Sequence, residues 1–362
     1  MNEFDFIKQL REQVGQRKHS PRLIAGIGDD AAIIRPTSQR DLVVTTDLLI
    51  EGVDFHRYAT PPSLLGHKAL AVSLSDIAGM GARPCWAFLS FGMPRDTWNG
   101  PGRDEFVAGF LQLADAFGVT LAGGDISATE EKIVIDSIVL GEVAAGNAVL
   151  RSGARPGDQI YVTGNLGGAA AGLKLIELGA RVESQSKPGV RPSPLGRGQG
   201  EGGEAIATGS SVQSEERSIQ SLLLRQLSPS PRVGWGIVLG EEQLATAMID
   251  ISDGLSSDLH HLCAESNAGA LVEADAIPLD EDVKHLCGRR ALDPLMLALH
   301  GGEDFELLFT VAPENVSRLP KRVDGVAISH IGEINDQTAT VTIREKNHEW
   351  NLLPGGFEHF KE

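Results

Sequence analysis

Cysteine is scarce: Cys85, Cys263 and Cys287 are the only three in 362 residues. An odd, sparse count with no C-x-x-C pair excludes a disulfide framework and points to a reducing compartment. Long apolar runs are missing as well. The longest candidate, residues 70–93, is broken by Asp76 and Arg83, so no segment reads as a membrane span. The N-terminal MNEFDFIKQLREQ has an amphipathic helical pattern and not that of a signal peptide. Positive charge is in deficit, with 32 Lys and Arg against 49 Asp and Glu and a net charge of -17. A phosphate backbone or an anionic membrane wants a basic face, so both are excluded as expected partners. There is no G-x-x-x-x-G-K-[ST], hence no Walker loop, and no G-x-S-x-G, hence no nucleophile elbow. No ligand quartet stands at zinc spacing; His260-His261-x-Cys263 and His285-x-Cys287 read as solvated helix faces. These absences leave a soluble, cytoplasmic protein, and an acidic protein that handles phosphate needs a cation between them.

What is present is an α/β pattern in both halves. The length suggests two domains, and 41% hydrophobic residues suffice for real cores. The first half reads as a helix over residues 1–20, a strand at 42–46, a helix over 62–81 and a strand at 86–91. A helix over 103–117 and strands at 119–122 and 132–143 follow. Composition changes at Ala144-Ala145-Gly146-Asn147, which predicts a domain joint and domains over 1–147 and 148–362. The second half restarts with a strand at 159–163, a helix over 167–178, a strand at 247–249, a helix over 254–265 and a strand at 305–311. Between them, about 181–228 is rich in Gly, Ser and Pro, and the expectation is a disordered insertion.

The aspartates carry the chemistry. Asp30 follows a glycine turn in GIGDDAAII, Asp47 ends a strand, and Asp76 sits in an otherwise apolar helix. Asp125 follows two glycines at a strand end, and Asp250 and Asp253 flank a strand-to-helix junction. Taken singly, an Asp in such places is usually a cap or a turn residue. As a set, strand ends and glycine turns are where α/β proteins gather ligand groups, and convergent buried carboxylates need cations. Only oxygen ligands are on offer, which favours Mg²⁺ over zinc. GIGDDA also fits the G-x-G-x-x-A dinucleotide fingerprint, but two aspartates would oppose a bare pyrophosphate.

GIGDDAA, TTDLLIEGVDF, GHKALAVSLSDIAGMGARP, LAGGD, LRSGARPGD, YVTGNLG, MIDISDGLSSDL and GGEDFELLFT occur in that order. Together they resemble the thiamine-monophosphate kinase family of the aminoimidazole-ribonucleotide-synthetase-like superfamily, over essentially the whole chain except the insertion. The resemblance implies a two-domain PurM-like fold of α/β (α+β) type, with the N-terminal sheet pairing across a homodimer. It also implies ATP-dependent phosphorylation of thiamine monophosphate with several Mg²⁺ ions. Asp30, Thr46, Asp47, Asp76, Asp125, Asp250 and Asp253 match the family's metal positions, and Thr45 a weaker metal contact. Asp47, Asp76 and Asp125 are then catalytic through metal, with no protein nucleophile. Gly124, Asp125, Arg151 and Ser252 match ATP contacts; Glu303 and Phe357 match acceptor contacts. Arg151, with Lys68 beside it as a candidate, supplies fixed positive charge, although a solvated helix residue is as good a reading of Lys68. The family's usual His in GVHF is replaced by Asp54, at a position expected to touch substrate. Selenophosphate synthetase and the hydrogenase-maturation relative share the architecture but need cysteines near the N-terminus or in a C-terminal tail, where this chain has none. A non-catalytic ATP–Mg²⁺ sensor is the reading from another class.

Overall fold

The computed structural model describes residues 23–25, 32–35, 39–182, 207–290 and 292–360. The helix expected over 1–20, Asp30, and residues 183–206 of the insertion lie outside them. Along the first half run β1 (Leu23–Ala25), β2 (Ala32–Ile34), β3 (Arg40–Ile50), α1 (Pro62–Gly79), β4 (Arg83–Pro94), α2 (Arg95–Asn99), α3 (Gly102–Phe117), β5 (Thr120–Thr129) and β6 (Val134–Ala144). They form a six-stranded sheet in the order β1-β2-β3-β6-β4-β5. β3 and β6 pair antiparallel from Arg40↔Ala144 to Ile50↔Val134, and β4 and β5 run parallel. Side chains alternate across a strand, so Val43, Thr45 and Leu49 of β3 face the helices while Thr46 and Leu48 face outward.

α1 is the spine of the molecule. Pro62 suits its first turn, and from Leu65 to Gly79 nearly every residue is buried. A helix apolar on all sides belongs inside. α3 lies against it so closely that a Cβ at Gly66 would stand 1.9 Å from the Phe106 carbonyl oxygen, and one at Gly109 1.9 Å from that of Ser63. Glycine at both positions is what lets the backbones meet.

The second half runs β7 (Gln159–Thr163), α4 (Gly168–Glu177), α5 (Ala207–Leu227), α6 (Val233–Glu241), β8 (Ala245–Asp250), α7 (Leu255–Ser266) and β9 (Gly269–Glu273). It continues with α8 (Glu281–Arg290), α9 (Pro294–His300), β10 (Leu307–Val311), β11 (Arg322–Val323), β12 (Val326–Asn335), β13 (Val341–Glu345) and β14 (His348–Asn351). Its sheet has the order β14-β13-β9-β12-β7-β10-β8, with β11 on β12. β7, β8 and β10 are buried on both faces. Tyr161, Met248, Leu307 and Phe309 join Trp235 of α6, α1 and the first sheet in one continuous core. Ile160, Val162, Ile249 and Leu308 point the other way, onto Leu255, Leu259 and Leu262 of α7.

The expected disorder over 181–228 is corrected in its C-terminal part. α5 occupies 207–227, and Leu222, Leu223 and Leu227 are buried against Leu175 and Ile176 of α4 and Val283 and Leu286 of α8. Three leucines at helical spacing offset the ordering entropy there; a composition taken over the whole segment averages them away. Cys263 and Cys287 are likewise buried and not on solvated faces. No helix among the described residues is long and apolar enough to cross a membrane.

Candidate active site

Helix geometry distributes the polar residues of SLSD (73–76) between the two halves. Successive residues turn about 100°, so Ser73 and Asp76 share one face while Ser75 points nearly opposite to Ser73. Ser73 donates to Asp47 Oδ2 at 2.6 Å and to the Ser137 carbonyl at 3.1 Å. Asp76 accepts the Thr45 hydroxyl. Thr45 and Asp47 lie two apart on β3 and therefore on one sheet face, the face that α1 covers. Ser75 reaches into the second half and donates to Asp250 Oδ2 at 2.6 Å. One helix thus bears Asp76, bonded by Thr45 of β3, and holds Asp47 and Asp250 through its own Ser73 and Ser75.

Three loops are knitted together beside Asp250. The Glu303 N–H donates to the Ser252 carbonyl at 2.7 Å, and the Phe357 N–H to the Asp253 carbonyl at 3.2 Å. A Cβ at Gly302 would come within 2.7 Å of Ser252 O, and one at Gly356 within 2.2 Å of Asp253 O, so the glycines of GGED and PGG permit the approach. Buried Asp258 accepts the N–H groups of Asp253 at 3.2 Å and Gly254 at 3.0 Å. Burial above all, then Asp253 and Asp250, pushes its carboxyl well above the usual carboxylate range, while Arg151 pulls it back.

A second polar group stands at the other end of α1. Buried Lys68 pairs with Glu303 Oε1 at 2.7 Å, and the Gln226 amide of α5 donates to Glu303 Oε2. Asp54, part-buried, accepts the Ile50 N–H at 2.7 Å. Burial is the main cause that raises its carboxyl; Glu303 adds to the rise, and His359 and Lys68 oppose it. Asp54, Glu303 and the C-terminal segment with Phe357 and His359 therefore share one electrostatic neighbourhood.

The remaining expected residues are placed differently. Thr46 lies on the outer face of the first sheet and donates to Asp136 Oδ1 at 2.6 Å. Ser90 is paired with both Asp125 and Asp136, so register puts Asp125 on that outer face, on the edge strand β5. Three strand spacings, about 14 Å, separate β5 from β3. Among the described residues no three His, Cys, Asp or Glu side chains form a cluster that could hold a metal ion. A single copy thus brings Asp47, Asp76 and Asp250 to one helix without closing them into a group, and it leaves Asp125 apart. The donor chemistry fits a hard cation: every candidate ligand is an oxygen, and none is histidine or cysteine. A cavity of about 610 Å³ lined by Arg57, Arg95, Asp96, Thr129, Glu130 and Glu131 includes none of these residues. Ser73, Ser75, Gln226 and Asp258 were missed from sequence. The two serines could have been found from their places three residues and one residue before a lone helical Asp. Nothing in the sequence marks Gln226.

The chain matches the model of the AIR synthase related protein, N-terminal domain, over residues 28–143, and that of the C-terminal domain over 223–344. It is 34% identical over 361 residues to a thiamine-monophosphate kinase of Salmonella typhimurium, covering 99% of this chain and 98% of that protein. Among solved structures it is similar to AaThiL complexed with AMPPCP and TMP, with 29% identity, a TM-score of 0.78, and 99% and 97% of the two chains covered. A thiamine-monophosphate kinase from Stenotrophomonas maltophilia K279a is 34% identical, with a TM-score of 0.70 and 96% and 97% covered.

Proposed function

The chain belongs to the thiamine-monophosphate kinase family, and from that premise we propose how its own residues carry out ATP-dependent phosphorylation of thiamine monophosphate. The transfer is direct and in line, from the γ-phosphorus of ATP to an oxygen of the acceptor's phosphate. A phosphate monoester has a second pKa of about 6, so the attacking oxygen is mostly ionised at neutral pH. No general base and no protein nucleophile are needed, which agrees with a site of carboxylates and hydroxyls. The obstacle is repulsion between anions: two unit charges ~4 Å apart cost about 4 kcal/mol at an effective dielectric near 20, and several such pairs meet.

Asp47, Asp76, Asp250 and Asp253, with Thr45, are the residues that would hold Mg²⁺, which when bound cancels phosphate charge and polarises the transferring group. Ser73, Thr45 and Ser75 orient the first three carboxylates. Arg151 and Ser252 bind the nucleotide; Asp54, Glu303 and Phe357 line the acceptor end. Asp125 and Gly124 act from a second copy, because edge strand β5 carries them away from Asp47 within one copy. The single observation that carries the reading is that α1 bears Asp76, bonded by Thr45 of β3, and holds Asp47 on the same side through Ser73 and Asp250 on the other through Ser75. Incubation with ATP, Mg²⁺ and thiamine monophosphate should yield thiamine diphosphate and ADP. Binding of ATP without product would favour the non-catalytic sensor instead.

A further inference from the structure

The strip of α1 that faces the second half carries two polar residues two turns apart. Ser75 ends on Asp250, and Lys68, seven residues earlier and within about 20° of the same direction, ends on Glu303. About 10 Å of helix separates them. Along the helix the cation therefore stands about 10 Å from the serine that holds Asp250.

Lys68 is 1% exposed. Joining two segments through a buried ammonium is costly unless all of its protons are satisfied. An ammonium has three donors, and its ion-pair partner among the described residues is one oxygen, Glu303 Oε1. Both oxygens of that carboxylate are engaged. Gln226 takes its second oxygen, its N–H is bound to Ser252 O, and its backbone sits in the left-handed region at φ 67°. Gln226 is 4% exposed, and its Oε1 has no partner among the described residues. Reversing the amide would set oxygen against the Glu303 carboxylate, so this acceptor is fixed. The clamp holds a buried ammonium with donors to spare and, across the same carboxylate, a buried amide oxygen. Those two features suit a phosphate monoester whose organic part bears an N–H.

We propose that Lys68 binds the phosphate of the acceptor, and that Gln226 is a positioning residue acting through Glu303 and accepting an N–H of the same molecule. The inference rests on reading this end of α1 as the acceptor end. Calorimetry in the presence of AMPPCP, with thiamine monophosphate and unphosphorylated thiamine as probes, tests it. The native protein should prefer the phosphorylated form. Lys68→Met should weaken thiamine monophosphate by ~10- to 100-fold, the worth of a charge-assisted contact, and leave thiamine and AMPPCP within ~3-fold. Lys68→Arg should restore part of the loss. Gln226→Leu should weaken both thiamine compounds, since it removes the N–H acceptor as well as the clamp. Should Lys68→Met alone fail to fold, Lys68→Met with Glu303→Gln removes both buried charges and should show the same loss of preference. Unchanged affinity for thiamine monophosphate in the Lys68 variants, or equal weakening of both probes, overturns the proposal. A native protein that binds no thiamine monophosphate overturns the acceptor reading itself, a separate result.

Discussion

Asp76 shows how a single carboxylate is made useful. It sits on an otherwise buried helix, where an unpaired charge would be expensive, and the Thr45 hydroxyl orients it. Asp76→Asn keeps that acceptor and the packing but removes the charge. It should lower kcat by at least ~10²-fold with an unchanged melting temperature, and near-normal turnover at modest Mg²⁺ would refute the assignment. Asp304 makes a different point. Its oxygens accept the N–H groups of Gly167 at 2.7 Å and Ala169 at 3.1 Å, at the start of α4. A sliver of the residue reaches water, yet burial pushes its carboxyl up to about 7, with Glu306 adding to the rise and Arg225 opposing it. A carboxyl whose folded-state value lies above its unfolded value of 3.8 binds protons more readily when folded. Its contribution to stability is therefore present below about pH 4 and is lost as pH rises towards 7. Denaturant titrations across that window should show native stability falling relative to Asp304→Asn, which stays neutral and keeps an acceptor oxygen. Parallel curves would remove Asp304 as the cause.

At the scale of elements, α5 carries the clearest test, because its sequence context predicts disorder. Leu223 is fully buried in the α4–α5–α8 cluster. Leu223→Ala should cost about 2–5 kcal/mol by equilibrium unfolding, as core leucines do. If α5 were a loosely attached segment, the variant would unfold like the native protein. α1 is the opposite case. Its pattern reads as a helix from sequence, and what the sequence leaves open is which neighbour each face meets. The 100° turn per residue, together with strand alternation on β3, assigns Ser73 and Asp76 to one half and Ser75 to the other.

The whole molecule decides whether the site closes. In one copy Asp125 stands on an edge strand, on the sheet face opposite Asp47, and β5 is exposed along most of its length. Among the described residues no strand pairs with the outer edge of β5, and an edge of ten residues is a template for another strand or sheet. If a second copy supplies Asp125, then Asp76→Asn and Asp125→Asn proteins, each inactive alone, should regain activity when unfolded and refolded together. A random mixture of twofold dimers would hold one intact site in half of its molecules, or about a quarter of native activity. No recovery, with mixed dimers demonstrated by a size tag, would place Asp125 in its own copy's site.

Local chemistry was sufficient for much of this. Glycine turns and helical spacing mark α1, α3, β7 and α7 close to their observed bounds, because those signals act within a few residues, whereas β3 and β5 run on past Asp47 and Asp125, where the sequence pattern ends them. The same is true of the oxygen-only set of candidate ligands, since residue type fixes donor chemistry. The tertiary structure alone decided that Lys68 is buried on Glu303 and not solvated, that Gln226 belongs beside them, and that Thr46 and Asp125 face away from Asp47. Each of those outcomes depends on a partner 75 or more residues distant or on a strand's register, and a one-residue shift of register exchanges the faces of a sheet. A sequence states which groups are available; packing between distant segments decides which of them meet.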